Sequence, residues 1–86
     1  MEIHYSKNFN KAFSKLTRKQ QLKIDDTISV FRHNPQNLQL KNHALKDPLL
    51  GYHAIATGGN LRLIFQADSN YERVEFILVG THTQVY

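Results

Sequence analysis

The fold is decided by residues 50–79, which read LGYHAIATGGNLRLIFQADSNYERVEFILV. Apolar and polar side chains alternate along much of this stretch with a period of two, which is typical of β-strands. Thr57-Gly58-Gly59-Asn60 predicts a hairpin turn, because glycine adopts the positive φ that tight turns need. Asp68-Ser69-Asn70 predicts a second turn. The stretch therefore predicts three consecutive antiparallel strands, starting near residue 50 and covering 61–67 and 72–79.

The residues before this sheet predict two helices. Ser6 can cap a helix over residues 7–16, in which apolar side chains recur at helical spacing. The capping-box pattern Thr17-Arg18-Lys19-Gln20 starts a second helix at about residues 18–33, which Asn34-Pro35 ends. A short strand over residues 1–5 precedes both. The prediction is one small α+β domain over residues 1–86, β-α-α-β-β-β, whose antiparallel sheet is covered on one face by an N-terminal helical hairpin.

Strand pairing through the two turns sorts the sheet residues onto two faces. A turn centred between Gly58 and Gly59 sets Ile55 opposite Arg62, and the next turn sets Arg62 opposite Ile77. The face predicted to lie under the helices carries Ala54, Leu61, Leu63, Phe65, Val74, Phe76 and Leu78. The other face is mixed and carries His53, Ile55, Arg62, Ile64, Glu75 and Ile77. Since an antiparallel sheet can leave such a face open, we expect a ligand or partner segment to bind there.

Composition and charge narrow the function classes. The chain has no cysteine, which excludes a disulfide framework, thiol catalysis and zinc sites with cysteine ligands, and fits the cytoplasm. No apolar run is long enough to span a membrane. Eleven Lys and Arg against seven Asp and Glu give a net charge of +4, and so basic a small domain usually has an anionic partner. No histidine pair has metal-ligand spacing on a helix, so we expect neither a metal nor a cofactor.

The residues left to carry chemistry are five histidines, Arg62 and four tyrosines, since the standard catalytic motifs are absent. This set suits RNA cleavage through the 2′-hydroxyl, which needs a base, cations around the pentacovalent phosphate and an acid for the leaving 5′-oxygen. Histidine can act as acid or base near neutral pH. Arginine binds phosphate oxygens in a bidentate manner, and tyrosine can stack on a base. None of these residue types is specific on its own.

Short segments in a fixed order are more specific. H-A-L-K at residues 43–46, G-Y at 51–52 and L-R-L-I-F at 61–65 precede a terminal G-T-H-T-Q-V-Y at 80–86. In this order, behind two helices, the sequence resembles the RelE/ParE toxin superfamily of bacterial toxin–antitoxin modules, and its YafQ-like branch in particular. The resemblance covers most of the chain. It implies a metal-independent mRNA interferase, an endoribonuclease that cuts mRNA in the ribosomal A site and is neutralised by an antitoxin encoded beside it.

The resemblance also implies catalytic roles. His82 matches the C-terminal histidine that leads catalysis in YafQ-type sequences, although RelE-type sequences have an arginine there. His43 matches the histidine before their A-L or P-L segment. Arg62 matches the strand arginine of RelE-type sequences, and His53 falls where those have a lysine. The positions at which YafQ-type sequences carry Asp, His and Asp hold Ala54, Ala56 and Asn60, so that the site is either a hybrid that uses Arg62 and His53 instead, or weakened.

Three further residues are candidates for substrate binding. Tyr86 matches the terminal aromatic residue of YafQ-type sequences. Lys41 and Lys46 flank His43 and can contact RNA phosphate.

Three functions remain open at this point. The first is the ribosome-dependent endoribonuclease. The second is a ParE-like toxin that inhibits DNA gyrase by binding, which would not need His82, His43 and Arg62. The third is a degenerate toxin that acts as a binding module, which the alanines at positions 54 and 56 favour.

Overall fold

Two helices and a mixed sheet form the described part of the chain. The computed structural model describes residues 1–81 and residue 85. Its elements are β1 (Glu2–Tyr5), α1 (Lys7–Ser14), α2 (Arg18–His33), a 3₁₀-helix (Leu38–Leu40), β2 (His43–Ala44), β3 (His53–Ala56), β4 (Leu61–Ala67) and β5 (Arg73–Thr81). Within these residues no helix is long and apolar enough to cross a membrane. The predicted α+β class and the predicted helical hairpin are confirmed.

Both helices begin where their capping residues predict. The Ser6 hydroxyl accepts a hydrogen bond from the Phe9 amide at 3.0 Å. At the start of α2, the Gln20 amide donates to the Thr17 hydroxyl at 3.1 Å, and the Gln20 side chain accepts from the Thr17 amide at 3.0 Å. Each cap pairs backbone groups that the first turn of a helix leaves without a partner.

The sheet has the strand order β1-β5-β4-β3-β2 and is not antiparallel throughout. β1 runs parallel to β5, because it joins the sheet beside the last strand and no turn fixes its direction. β2 was not among the predicted strands, since two residues are too few to show a period. β3 begins at His53 because a turn comes first, closed by a 3.1 Å bond from the Tyr52 amide to the Leu49 carbonyl. β5 continues through Gly80, where we predicted its end.

The predicted strand register was wrong by one residue at the first turn. Ile55 lies opposite Leu63, and Arg62 lies opposite Ala56. The reason is that the turn is closed between Thr57 and Leu61 and so centres on Gly59. The register predicted through the second turn was also wrong, because Arg62 pairs with Gly80 and not with Ile77. Between β4 and β5 the register shifts at Ile64 and Phe65, which are paired with Leu78 and Phe76. Ile77 is therefore the extra residue of a β-bulge.

These shifts exchange residues between the two faces, because a slip of one residue turns a side chain to the other side of a strand. Ile55 and Val79 pack under the helices, whereas Ala54 and Leu78 lie on the face away from the helices, which we call the outer face. The faces predicted for Ile55, Ala54 and Leu78 were wrong. The core under the helices consists of Phe9, Ile24, Ile28, Phe31, Leu40, Ile55, Leu61, Leu63, Phe65, Val74, Phe76 and Val79.

Candidate functional site

Val85 packs on the centre of the outer face. Ala54, Ile64 and Val85 form a second apolar cluster and are 0%, 1% and 9% exposed. Partly buried apolar side chains surround this cluster: Leu45, Tyr52 and Leu78. The expectation of an open face with exposed Ile55 and Ile64 was therefore wrong, because both side chains are buried. What remains accessible on this side lies around the cluster, at β2 and at the turn between β3 and β4.

His43 lies on the outer face, since it pairs with Ala54 across the antiparallel β2–β3 ladder. Its Nδ1 is 2.8 Å from the Lys41 carbonyl oxygen. A carbonyl oxygen can only accept, so Nδ1 carries the hydrogen and the basic lone pair of the neutral ring is on Nε2. Lys41 presents this carbonyl from a left-handed conformation, with φ +52°, at the end of the 3₁₀-helix. The Lys41 carbonyl thus fixes the orientation and the tautomer of the His43 ring.

Lys46 shares a groove with His43. The groove encloses about 330 Å³ and is lined by His43, Ala44, Leu45, Lys46, Asp47, Pro48 and Leu49. Leu45 connects it to the apolar cluster of the outer face. The structure therefore brings His43 and Lys46 together. Lys41 has an exposed side chain, and its carbonyl contact with His43 is one that no sequence pattern indicated.

Arg62 also lies on the outer face, because its neighbours Leu61 and Leu63 both pack under the helices. Its Nη1 donates to the Gly59 carbonyl at 2.9 Å and to the Leu61 carbonyl at 3.0 Å. These bonds hold the guanidinium at the turn between β3 and β4. The strand spacing puts the Cα atoms of His43 and Arg62 about 12 Å apart.

His53 lies on the opposite side of the sheet. It pairs with Phe65, and the two rings stack with their centroids 5.4 Å apart and an angle of 21° between their planes. Its Nδ1 is buried and has no hydrogen-bond partner among the described residues. The expectation that His53 shares a face with Arg62 was wrong, for the reason of register given above. Among residues 1–81 and 85, no three His, Asp or Glu side chains are grouped so that they could hold a metal ion.

The predictions for His82 and Tyr86 fall outside the described residues. The described neighbours of this segment are Thr81, which ends β5 opposite Leu61, and Val85 on the outer face. Ala54, at one of the positions where YafQ-type sequences have acidic or histidine residues, belongs to the apolar cluster of the outer face and is fully buried.

The comparisons with known proteins concern the fold. No protein-family model matches the chain, and no curated protein matches its sequence. Among solved structures, YafQ from E. coli strain BL21(DE3) is 23% identical with a TM-score of 0.79, covering 99% of this chain and 97% of that chain. A YoeB/ParE toxin from Agrobacterium tumefaciens is 19% identical with a TM-score of 0.78, covering 95% and 99%. The E. coli DinJ–YafQ complex is 24% identical with a TM-score of 0.69, covering 99% and 97%. The chain therefore has the fold of YafQ and of the YoeB/ParE toxin over nearly its whole length.

Proposed function

We propose that this chain is the toxin of a type II toxin–antitoxin module and that it cleaves mRNA in the ribosomal A site. One observation carries the proposal: Val85 packs on Ala54, the residue paired with His43, on the face that also carries Arg62. Val85 is three residues after His82 in the chain and lies on the same face as His43 and Arg62, the two other candidate catalytic residues. The fold, which is that of YafQ over nearly the whole length, supports the same function.

The proposed reaction is attack of the 2′-hydroxyl on the adjacent phosphorus. His43 Nε2 takes the hydroxyl proton, the 2′-oxygen bonds to phosphorus, and the bond from phosphorus to the 5′-oxygen breaks. Arg62 and Lys46 stabilise the negative charge of the pentacovalent phosphate. His82 gives a proton to the leaving 5′-oxygen. The products are a 2′,3′-cyclic phosphate and a 5′-hydroxyl, and no metal takes part.

Tyr86 and His53 have different places in this proposal. Tyr86 stacks on a base of the substrate, as the resemblance implies. His53 takes no part in the chemistry, because its ring lies against Phe65 on the helix side of the sheet.

We further propose that a cognate antitoxin, acidic and encoded adjacently, holds the chain inactive in the cytoplasm. The net charge of +4 favours an acidic partner. The YafQ neighbour also supports a protein partner, since it has been solved in complex with DinJ.

Pulse labelling after induction without an antitoxin tests the proposed function. Incorporation of labelled amino acids should stop before that of thymidine, and the His43→Gln variant should not stop it. Earlier loss of DNA synthesis, with protein synthesis intact, would overturn the proposal in favour of gyrase inhibition. Normal growth at full expression of the wild-type chain would overturn it in favour of a degenerate toxin.

A further inference from the structure

A second groove lies between the start of α2 and the turn that joins β3 to β4. It encloses about 310 Å³ and is lined by Lys19, Gln20, Lys23, Thr57, Gly59, Asn60, Leu61 and Thr81. At one end it reaches Thr81, the residue before His82 in the chain. The groove is thus next to the proposed cleavage site without containing any of the residues to which we assign chemistry.

Three cations converge on the turn that forms one wall of this groove. Lys23 lies against Gly58: a Cβ atom added to this glycine would be 3.1 Å from Lys23 Cε and 3.3 Å from its Nζ. Lys19 lies one helical turn before Lys23 on the same side of α2. Arg62 holds the carbonyl of Gly59. Glycine at position 58, with φ +87°, therefore leaves room for an ammonium group on the turn.

The positive charge of this groove is not neutralised locally. None of its described lining residues is acidic. Among the described residues, the ion pair found joins His4 and Glu2. Neither Lys19 nor Lys23 forms an ion pair within this part of the chain. The first turn of α2 contains no acidic residue, and the dipole of the helix adds positive potential at this end. Asp26 lines the adjoining groove beyond Lys23, so the cationic surface extends from Lys23 towards Thr81.

The chemistry of the lining favours a phosphodiester chain over a protein segment. The groove offers ammonium groups, the side-chain amides of Gln20 and Asn60 and the Thr57 hydroxyl, whereas Leu61, its one large apolar side chain, is only 7% exposed. A protein segment gains little in such a groove, because the centre of a protein interface needs apolar surface to bury. At Gly59 the space that a Cβ would fill is open, so a strand can approach the backbone.

We propose that this groove binds the phosphodiester backbone of single-stranded RNA, namely the stretch of mRNA next to the phosphate that is cut. The proposal rests on the proposed function for the identity of the strand. Lys19 and Lys23 each contact one phosphate. They bind the strand and take no part in the proton transfers.

Binding of an uncleavable RNA tests this site without any cleavage. The probe is a short, fluorescein-labelled, 2′-O-methyl oligoribonucleotide, followed by fluorescence anisotropy at several salt concentrations. The double variant Lys19→Gln/Lys23→Gln should reduce the slope of log Kd against log salt by about 1.4, since each phosphate contact in a single strand contributes about 0.7. That change corresponds to about 25-fold weaker binding at 0.1 M salt and to no difference near 1 M. The matched control is Lys7→Gln/Lys11→Gln, which removes two exposed lysines at the same spacing from α1.

The control variant should bind as the wild-type chain does, and thermal unfolding should show that all three proteins are equally folded. An unchanged slope in the α2 variant would overturn the proposal. This holds even if the variant has lost affinity for an acidic antitoxin peptide, because the groove would then be a protein-binding site. Equal losses in both double variants would overturn it as well, because general charge would then explain binding. A duplex RNA forms the second arm, and an equally large effect of Lys19 and Lys23 on the duplex would rule out a site for single strands. If the chain fails to arrest translation while the α2 variant alone loses RNA binding, the proposed function fails and the groove stands.

Discussion

Ala54→Asp places a carboxyl group in the centre of the outer face. The substitution introduces the aspartate that YafQ-type sequences carry at this position. If the match to that motif alone determined activity, the variant would be more active than the wild-type chain. The structure predicts the opposite, because Ala54 is fully buried and packs with Ile64 and Val85. The introduced carboxyl would have no polar partner within this cluster.

Two responses are open to the protein, and their free energies differ. Keeping the carboxyl buried and neutral at pH 7 costs about 4 kcal/mol, because a carboxyl group ordinarily ionises near pH 3.9. Expelling Val85 instead gives up the burial of one valine side chain, which is worth roughly 2 kcal/mol. The second response is the less costly. We therefore expect a loss of about 2 kcal/mol in the free energy of unfolding, together with release of Val85 from the outer face.

Urea denaturation and the NMR signals of the Val85 methyl groups measure the two effects. The matched control is Ala44→Asp, the same change at an exposed position of the neighbouring strand β2, which should alter stability by no more than about 0.5 kcal/mol. Only the neutral carboxyl can be buried beneath Val85, so protonation favours the form in which Val85 stays packed, and the destabilising effect present at neutral pH recedes on acidification. The difference between the two variants should therefore narrow as the pH is lowered towards about 4.

Cleavage by the Ala54→Asp variant should fall, since Val85, three residues after the proposed catalytic His82, leaves the face that carries His43 and Arg62. A variant that is as stable as the wild-type chain, retains the Val85 contacts and cleaves faster would refute this reasoning. It would mean that position 54 is open to the substrate.

Three further substitutions test separate parts of the structure. His43→Gln should slow cleavage by roughly 10²–10⁴-fold without lowering the melting temperature, whereas His33→Gln on the exposed end of α2 should do neither; equal rates for both would remove His43 from the site. His53→Phe should leave both the cleavage rate and the urea midpoint undiminished, because it keeps the stack on Phe65 and removes a buried nitrogen without a partner; lost cleavage in a folded protein would assign His53 a catalytic role. Gly58→Ala should lower the free energy of unfolding by about 1 kcal/mol more than Gly59→Ala, since only the first has a positive φ and a lysine against its Cβ position; equal effects in urea denaturation would contradict the described turn.

The parts of the fold that depend on local chemistry could be predicted from the sequence. The start of each helix follows from a hydroxyl side chain and the amides within three residues of it, as at Ser6 and Thr17. β4 follows from alternation between two turns. These features depend only on residues close together in the chain, and the structure shows them at the predicted positions.

The parts that depend on partners far away in the chain could not be predicted in the same way. One residue more in the turn at Gly59 exchanged Ala54 and Ile55 between the faces, and one bulge at Ile77 moved Leu78 to the outer face. Neither the longer turn nor the bulge changes the periodicity of the sequence, so neither could be recognised there. The direction of β1 depends on β5, some seventy residues later, as its parallel register shows.

Part of the candidate site could likewise be predicted from the sequence, and part could not. His43 and Arg62, which the resemblance to YafQ-type and RelE-type sequences indicated, lie on the face on which Val85 packs. The orientation of His43 could not be foreseen, because it depends on the Lys41 carbonyl and a left-handed backbone that lysine seldom adopts. The error at His53 followed directly from the register.

Cleavage of mRNA on programmed ribosomes tests the central claim most directly. Wild-type protein and the His82→Ala variant are each added to ribosomes with a defined codon in the A site, and the fragment ends are mapped. The account predicts that the wild-type chain cuts within that codon and leaves a 2′,3′-cyclic phosphate, while the folded His82→Ala variant cuts roughly 10²–10⁴ times more slowly. Cutting by His82→Ala at the wild-type rate, or no cutting by the wild-type chain, would contradict it.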